Sequence, residues 1–588
     1  MPSIELPFET RKIVEHSSAG LMQCSLYRLL PVEGKEYVRK GMHVLRYLHM
    51  IPIEEIGTPK FYPVLTRKMK NMRTPNLIYP VNDQIAVHIS PDKKGDQNNY
   101  IPLEPVLVEN FDALVEEVET RIANLVDQFE EPKNKEEKRV ILEKCIDMVC
   151  EITGGDGNGG YNNGGIGRLK KVFFKFQFRN NNKLQVTLEE LRAIKYLMIR
   201  DKVGLGILEP FIHDPYIEDI SCSGVGQLFV EHKIFESLKS TISFEDAEDL
   251  DAFVIQLAEK IGKPVSYRNP IVDATLPDGS RINIVFGSDI SKRGSNFTIR
   301  KFSETPLSVL QLIEFGTLDY VMAAYLWLCL REGMNCFIAG ETASGKTTMM
   351  NALTTFIPAN AKLVSIEDTP ELQVPHKNWI REVIRTAEGK RESESAGVGM
   401  FDLLKAALRQ RPNEIIIGEI RGIEGNIAFQ GMQTGHSVMS TFHASSVEKL
   451  IQRLTGYPIS VPKIYVDNLN IVVIQNSVRG KDGKTVRRVT SINEIVKYDP
   501  ADDSFSFVEV FRWNPVTDKF EFTGNMNSYL LEEKIALKRG IPNDKRMMIY
   551  REIGKRARIL QKVHKAGVTD FHGLFGVLSK LEKEGIAV

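Results

Sequence analysis

The pattern of apolar and polar positions divides the chain into stretches of different character. Up to about residue 150 the pattern is mixed: strand-like pieces such as Gln84 to Ile89 precede a charged helical stretch from about Phe111 to Cys150. Residues Gly154 to Gly165 are almost entirely glycine and asparagine. Their backbone entropy and lack of apolar side chains predict a linker or exposed loop, and a domain boundary there. Ile166 to Lys183 holds six basic residues and no acidic one, interleaved with Phe173, Phe174, Phe176 and Phe178. The alternation predicts a half-buried strand, with a nucleic-acid or membrane-surface patch as the alternative.

Helical periodicity resumes from Thr187 to Asp201, where Thr187 and Glu190 are spaced as a capping box. Mixed α/β patterning runs on to Phe302, and Thr305-Pro306-Leu307 reads as the N-cap and first turn of a helix entering a new domain. From there short apolar runs alternate with helical ones, as a parallel sheet covered by helices requires. The expected organisation is a mixed N-terminal region over 1–153, a linker over 154–165, an α/β domain over 166–304, a larger α/β domain over 305–498 and a mainly helical region over 499–588.

Length and composition agree with several soluble domains. The chain has 588 residues, 42% hydrophobic and 26% charged, enough to bury more than one core. Basic and acidic residues both number 76, so no global charge argues for nucleic acid or anionic lipid. Six cysteines are scattered without a C-x-x-C pair, which argues against a zinc knuckle or a disulfide framework and fits a reducing cytoplasm. The first ten residues have no apolar core, so no export signal is expected. The longest nearly apolar run, Leu318 to Leu330, is too short to span a bilayer, which needs about 20 residues. Any membrane association is therefore expected to be peripheral, through a partner.

One motif carries explicit chemistry. The apolar run Asn335 to Ala339 leads directly into Gly340-Glu341-Thr342-Ala343-Ser344-Gly345-Lys346-Thr347-Thr348, a G-x-x-x-x-G-K-T between a strand and a helix. Its glycines let the backbone curl so that amide groups and the helix N-terminus point at phosphate oxygens. Lys346 is expected to reach the β- and γ-phosphates, and the Thr347 hydroxyl to ligate Mg²⁺.

Three further segments fit around it. Ile415-Ile416-Ile417 is a buried strand running into Gly418-Glu419-Ile420-Arg421, like a Walker B strand whose terminal carboxylate faces nucleotide. Gly418 stands where many P-loop proteins have aspartate, leaving Glu419 alone to organise the metal. Leu363 to Ile366 is another apolar strand, ending in Glu367, Asp368 and Glu371; one of these carboxylates could polarise water, or the cluster could be a solvated turn. His436 and His443 flank a third strand-like segment. Their spacing suits neutral hydrogen-bonding histidines that sense a γ-phosphate better than metal ligands.

These motifs, in this order, resemble the secretion ATPases of type II secretion, type IV pili and the archaellum, over roughly Lys202 to Asp499. The resemblance implies a RecA-like P-loop domain preceded by a PAS-like α/β domain. By the same resemblance Glu371 matches the water-activating glutamate of the Asp box, Glu419 the Walker B glutamate, and His436 and His443 the His box. Arg281, in Leu276-Pro277-Asp278-Gly279-Ser280-Arg281, and Arg300, in Thr298-Ile299-Arg300-Lys301, match arginine-bearing segments beside the site. It further implies Mg-ATP as substrate, a homo-hexameric ring, a polytopic membrane platform protein and other motor or filament-assembly components as partners, no nucleic acid, and a cytoplasmic protein bound peripherally to the membrane. The four-cysteine zinc insertion of the bacterial type II enzymes is missing, which favours the archaeal branch and, within it, the archaellum motor ATPase ahead of a pilus-assembly enzyme.

Two other classes compete. A nucleic-acid translocase uses the same core, but no DExx box follows the Ile415 strand and the chain is electrically balanced. A non-hydrolysing nucleotide-binding scaffold conflicts with the presence of Lys346, Thr347, Glu371 and Glu419 together.

Overall fold

A computed structural model describes residues 3–585 except 5, 12–23, 67–68, 71, 73, 93–96, 106–110, 126–128, 130, 133, 154–182, 303–304, 386–397, 481–482 and 484. The expected linker over 154–165 and the phenylalanine-rich strand lie outside the described residues. The chain divides into two compact units, 1–302 and 303–588.

The first unit is built on one long sheet. Its strands run in the order Ile271–Thr275, Arg281–Val285, Asn296–Arg300, Ile217–Cys222, Gly226–His232, Glu236–Phe244, Asn99–Leu103, Ala86–Ser90, Leu77–Pro80 and Lys60–Phe61. The junction between Asn99–Leu103 and Glu236–Phe244 is parallel. Strands from before and after residues 154–182 thus share one sheet, so a boundary at 154 falls within the unit. Ala86–Ser90 and Asn99–Leu103 are buried at every position, because helices such as His43–Met50 add a second core on one face while the main core fills the other. The helix Leu188–Lys202 begins at the Thr187–Glu190 capping box, with both reciprocal bonds formed.

The second unit carries a nine-stranded sheet in the order Trp379–Val383, Leu363–Glu367, Glu414–Glu419, Ser437–Phe442, Cys336–Ala339, Ile471–Arg479, Thr485–Asp499, Ser504–Asn514 and Lys519–Glu521. The first six strands are parallel and the last three antiparallel additions. Continuous apolar runs at Cys336–Ala339 and Ile415–Ile417 follow from this: parallel strands are covered on both faces and have no polar side. The sheet continues past residue 499 before helices Ile549–Lys565 and Phe571–Lys583 close the chain.

The apolar run Leu318 to Leu330 becomes the helix Tyr320–Arg331, capped by Asp319 and buried from Met322 to Leu330. A helix apolar on all sides belongs inside a core, and this one packs against Ile549–Lys565. Among the described residues no helix is long and apolar enough to cross a membrane. The entry helix starts at Val309 rather than at Pro306. Ser308 and Gln311 form its capping box, and that reciprocal pair fixes the start, whereas Thr305 has Ser308 rather than Glu or Gln three residues on.

Candidate active site

Parallel strands deliver all their carboxyl ends to one edge of the sheet, and the loops that follow them meet there. The P-loop leaves Cys336–Ala339 at that edge and enters the eight-residue helix Lys346–Leu353. Its curl is visible in the backbone: Ala343 has φ 59° and Gly345 φ 92°. Gly340 has no alternative, since a Cβ there would lie 2.0 Å from the Gln475 carbonyl oxygen. Gln475 also donates through Nε2 to the Ser344 carbonyl at 2.7 Å, and Arg487 Nε donates to the Ala343 carbonyl at 3.1 Å. Both come from the neighbouring strands Ile471–Arg479 and Thr485–Asp499.

Lys346 Nζ donates to the carbonyls of Gly340 at 3.2 Å and Glu341 at 2.9 Å, within its own loop. Burial lowers its pKa, and Glu419 opposes that shift. A third neighbour is His443 Nδ1 at 3.4 Å, while His443 Nε2 lies 3.1 Å from Glu419 Oε1. Burial also lowers the His443 pKa below the ordinary histidine range. A neutral ring satisfies both contacts in one tautomer: Nδ1 accepts from Lys346 and Nε2–H donates to Glu419. Glu419 Oε2 in turn pairs with Arg421 Nη2 at 2.6 Å, and Arg421 Nη1 lies 3.6 Å from Asp368. A continuous polar chain therefore runs from the P-loop lysine to the strand-end carboxylates.

The three clustered carboxylates do different things. Asp368 is solvated and faces Arg421. Glu367 turns inward, is 1% exposed and accepts through Oε1 from the amides of Glu371 and Leu372, each at 2.8 Å. Burial raises its pKa to about 7, against the pull of those two amides. Gly418 lies against it, and a Cβ there would meet Glu367 Cγ at 3.4 Å, an ordinary contact distance. Glu371 is half-buried, and its carbonyl accepts from Asn351 Nδ2, on the P-loop helix, at 3.3 Å.

Thr347 and Thr348 are half-buried at the start of the P-loop helix, and Glu341, Thr342 and Ala343 are exposed. His436 is not brought to this edge. It precedes Ser437–Phe442 while His443 follows it, so the two are separated by one strand, roughly 20 Å at about 3.3 Å per residue. His436 Nδ1 instead meets the Thr434 hydroxyl at 3.1 Å. Arg281 and Arg300 belong to the other unit, directly opposite one another on adjacent antiparallel strands. Their side chains share one face and are exposed. Like charges placed so oppose the pairing unless an anion lies between or beside them. Asp219, opposite Arg300 in register, has its pKa raised by burial and pulled down by that arginine.

Gln475, Arg487 and Asn351 join the site without having been visible in the sequence. Their contacts depend on sheet register and on a loop folding back over a helix, and no local motif encodes either.

The family model for type II/IV secretion system proteins matches residues 201–507. An uncharacterized protein of Methanocaldococcus jannaschii is 44% identical over 560 residues, 94% of this chain and 97% of that one. The chain belongs to the type II/IV secretion system protein family. Within this family, the type IV secretion system protein PtlH of Bordetella pertussis is 31% identical over 274 residues, 43% of this chain and 79% of that protein. The crystal structure of the VirB11 ATPase from the Brucella suis type IV secretion system is similar at 26% identity and a TM-score of 0.25, over 48% of this chain and 91% of that one. The fold class is α/β, a RecA-like P-loop domain of this family preceded in the chain by a second α/β region.

Proposed function

We propose that the chain hydrolyses ATP and uses the energy to assemble, or to assemble and rotate, an archaeal surface filament, the archaellum first. The observation that carries the hydrolytic reading is the contact chain Lys346–His443–Glu419 at the mouth of a P-loop whose glycine and positive-φ positions leave its backbone free to wrap phosphate. In this reading Lys346 exchanges its two carbonyl partners for β- and γ-phosphate oxygens and offsets their charge. Residues Gly340 to Thr348 hold the triphosphate. A hydroxyl at Thr347 and a carboxylate at Glu419 form an oxygen donor set that suits Mg²⁺, which when bound neutralises phosphate charge. Glu371 orients the attacking water. His443, neutral and bonded to both Lys346 and Glu419, senses occupancy of the γ-phosphate position.

The other assigned residues act between subunits. His436 lies a strand's length from this P-loop, so any role in nucleotide sensing runs through a neighbouring copy in a homo-hexameric ring. Arg281 and Arg300 present paired positive charge to a phosphate group. The expected partners are a polytopic platform protein and other motor or filament-assembly components, with the chain held peripherally at the cytoplasmic face of the membrane. The near full-length relative from Methanocaldococcus jannaschii, an archaeon, supports the archaeal branch. A second reading, a pilus-assembly or type II-like secretion ATPase, is favoured by the similarity to a type IV secretion protein.

Deleting the gene and complementing it with wild-type or Lys346→Ala chain decides between them. Loss of swimming filaments, restored only by wild type, supports the archaellum. Loss of pili or of secreted proteins with swimming intact supports the second reading.

A further inference from the structure

Glu367 ends the strand Leu363–Glu367 with its side chain turned into the protein, although the two carboxylates after it face outward or half outward. Its Oε1 accepts from two consecutive amides, Glu371 and Leu372, and so closes the turn that carries Glu371. Its Oε2 has no hydrogen-bond partner among the described residues and lies 3.6 Å from Arg381 Nε. Burying a carboxyl with one oxygen unbonded is costly, and a feature retained at such a cost calls for a specific role. The same turn is fastened from the opposite side by Asn351, which donates to the Glu371 carbonyl at 3.3 Å and accepts from the Gln373 amide at 3.1 Å. Leu372, fully buried between the two fastenings, stops the turn from rotating.

We propose that Glu367 is a positioning residue: by gripping the amides of Glu371 and Leu372 it fixes the Glu371 carboxylate relative to the P-loop helix, to which Asn351 ties the same turn. This rests on the reading that Glu371 orients the attacking water. In this reading Glu367 acts through Glu371. Its importance follows from the sensitivity of a near-attack geometry, in which about 1 Å of misplacement costs about 10²-fold in rate.

The test uses the purified full chain, with kcat, KM for Mg-ATP and nucleotide affinity measured for Glu367→Gln, Glu367→Leu and Asn351→Ala. Glutamine keeps an acceptor oxygen in the Oε1 place and should hold kcat within about 3-fold, whereas leucine should lower kcat by about 10- to 100-fold with KM nearly unchanged. Asn351→Ala removes the second fastening and should lower kcat in the same way by a smaller factor, which keeps the idea testable should Glu367→Leu not fold. Glu367→Gln falling as far as Glu367→Leu would assign the charge itself to the chemistry and overturn the proposal. So would an unchanged kcat in both Glu367→Leu and Asn351→Ala. The double variant Glu367→Leu/Glu371→Gln should be no slower than Glu371→Gln alone; a further loss means that Glu367 acts by another route. Near-normal turnover in Glu371→Gln would overturn the reading of Glu371 alone, and would be seen separately.

Discussion

The two edges of the parallel sheet in the second unit solve opposite electrostatic problems. At the carboxyl edge Lys346, His443, Glu419, Arg421 and Asp368 form an unbroken series of charged and polar contacts. At the amino edge Glu414 is buried, its Oε1 has no hydrogen-bond partner among the described residues, and burial pushes its pKa well above the ordinary glutamate range. A cavity of about 250 Å³ opens beside it, lined by Asn360, Asn413, Ser437 and Lys538 among others. Both edges bury a carboxyl, but the cations at the amino edge, Lys538 and Arg539, pair with Glu332 rather than with Glu414. In the proposed reading the carboxyl edge exchanges its internal partners for phosphate oxygens, whereas at the amino edge burial alone acts on Glu414. The strand Ser437–Phe442 runs between them, with His443 at the charged end and His436 at the other.

The strongest break of this contrast is Lys346→Ala, which should lower ATP turnover at least about 10²-fold by removing the cation that offsets developing phosphate charge. Hydrolysis by the purified variant measures it. Next come the two glutamates. Glu371→Gln should bind Mg-ATP normally and turn over slowly, whereas Glu419→Gln should shift the Mg²⁺ dependence of turnover; identical Mg²⁺ titrations for both would erase the distinction between their roles.

A smaller effect separates the histidines. His443→Ala should slow turnover by about 10-fold, within the range of single hydrogen-bonding groups in such sites, and in an assay of subunits kept below their assembly concentration His436→Ala should change little. Because burial holds the His443 pKa below the ordinary histidine range, wild-type activity should persist into mild acid and fall only when the ring gains a proton and can no longer accept from Lys346. Glu414→Gln should have the smallest effect on turnover and show itself in stability. A carboxyl whose pKa is raised by folding stabilises the native state below the unfolded glutamate value and loses that contribution as pH rises through the folded one. Wild type should therefore lose stability on going from mild acid to alkaline pH more steeply than Glu414→Gln, as followed by denaturant unfolding at each pH.

Much of this was legible in the sequence because it is local. The P-loop is nine consecutive residues between an apolar run and a helix, and the Glu419 strand announces itself as three isoleucines. The capping box at Thr187 needed only a spacing of three. What the sequence concealed depends on distant strands lying side by side. Nothing around Gln475 indicates that it backs Gly340, because that contact comes from pairing across well over a hundred residues. The inward turn of Glu367 is likewise hidden, since Glu367, Asp368 and Glu371 read alike as a polar strand end. His436 and His443 read as a pair because seven residues are few, but in an extended strand that spacing is the full height of the sheet.

Amide hydrogen exchange of the full chain with and without Mg-ATP tests the central claim, that nucleotide is held at the carboxyl edge. Slowed exchange over 340–348 and around 419 and 443, with 357–362 and 410–414 unchanged, is the result predicted. Protection at the amino edge with the P-loop unaffected would contradict it.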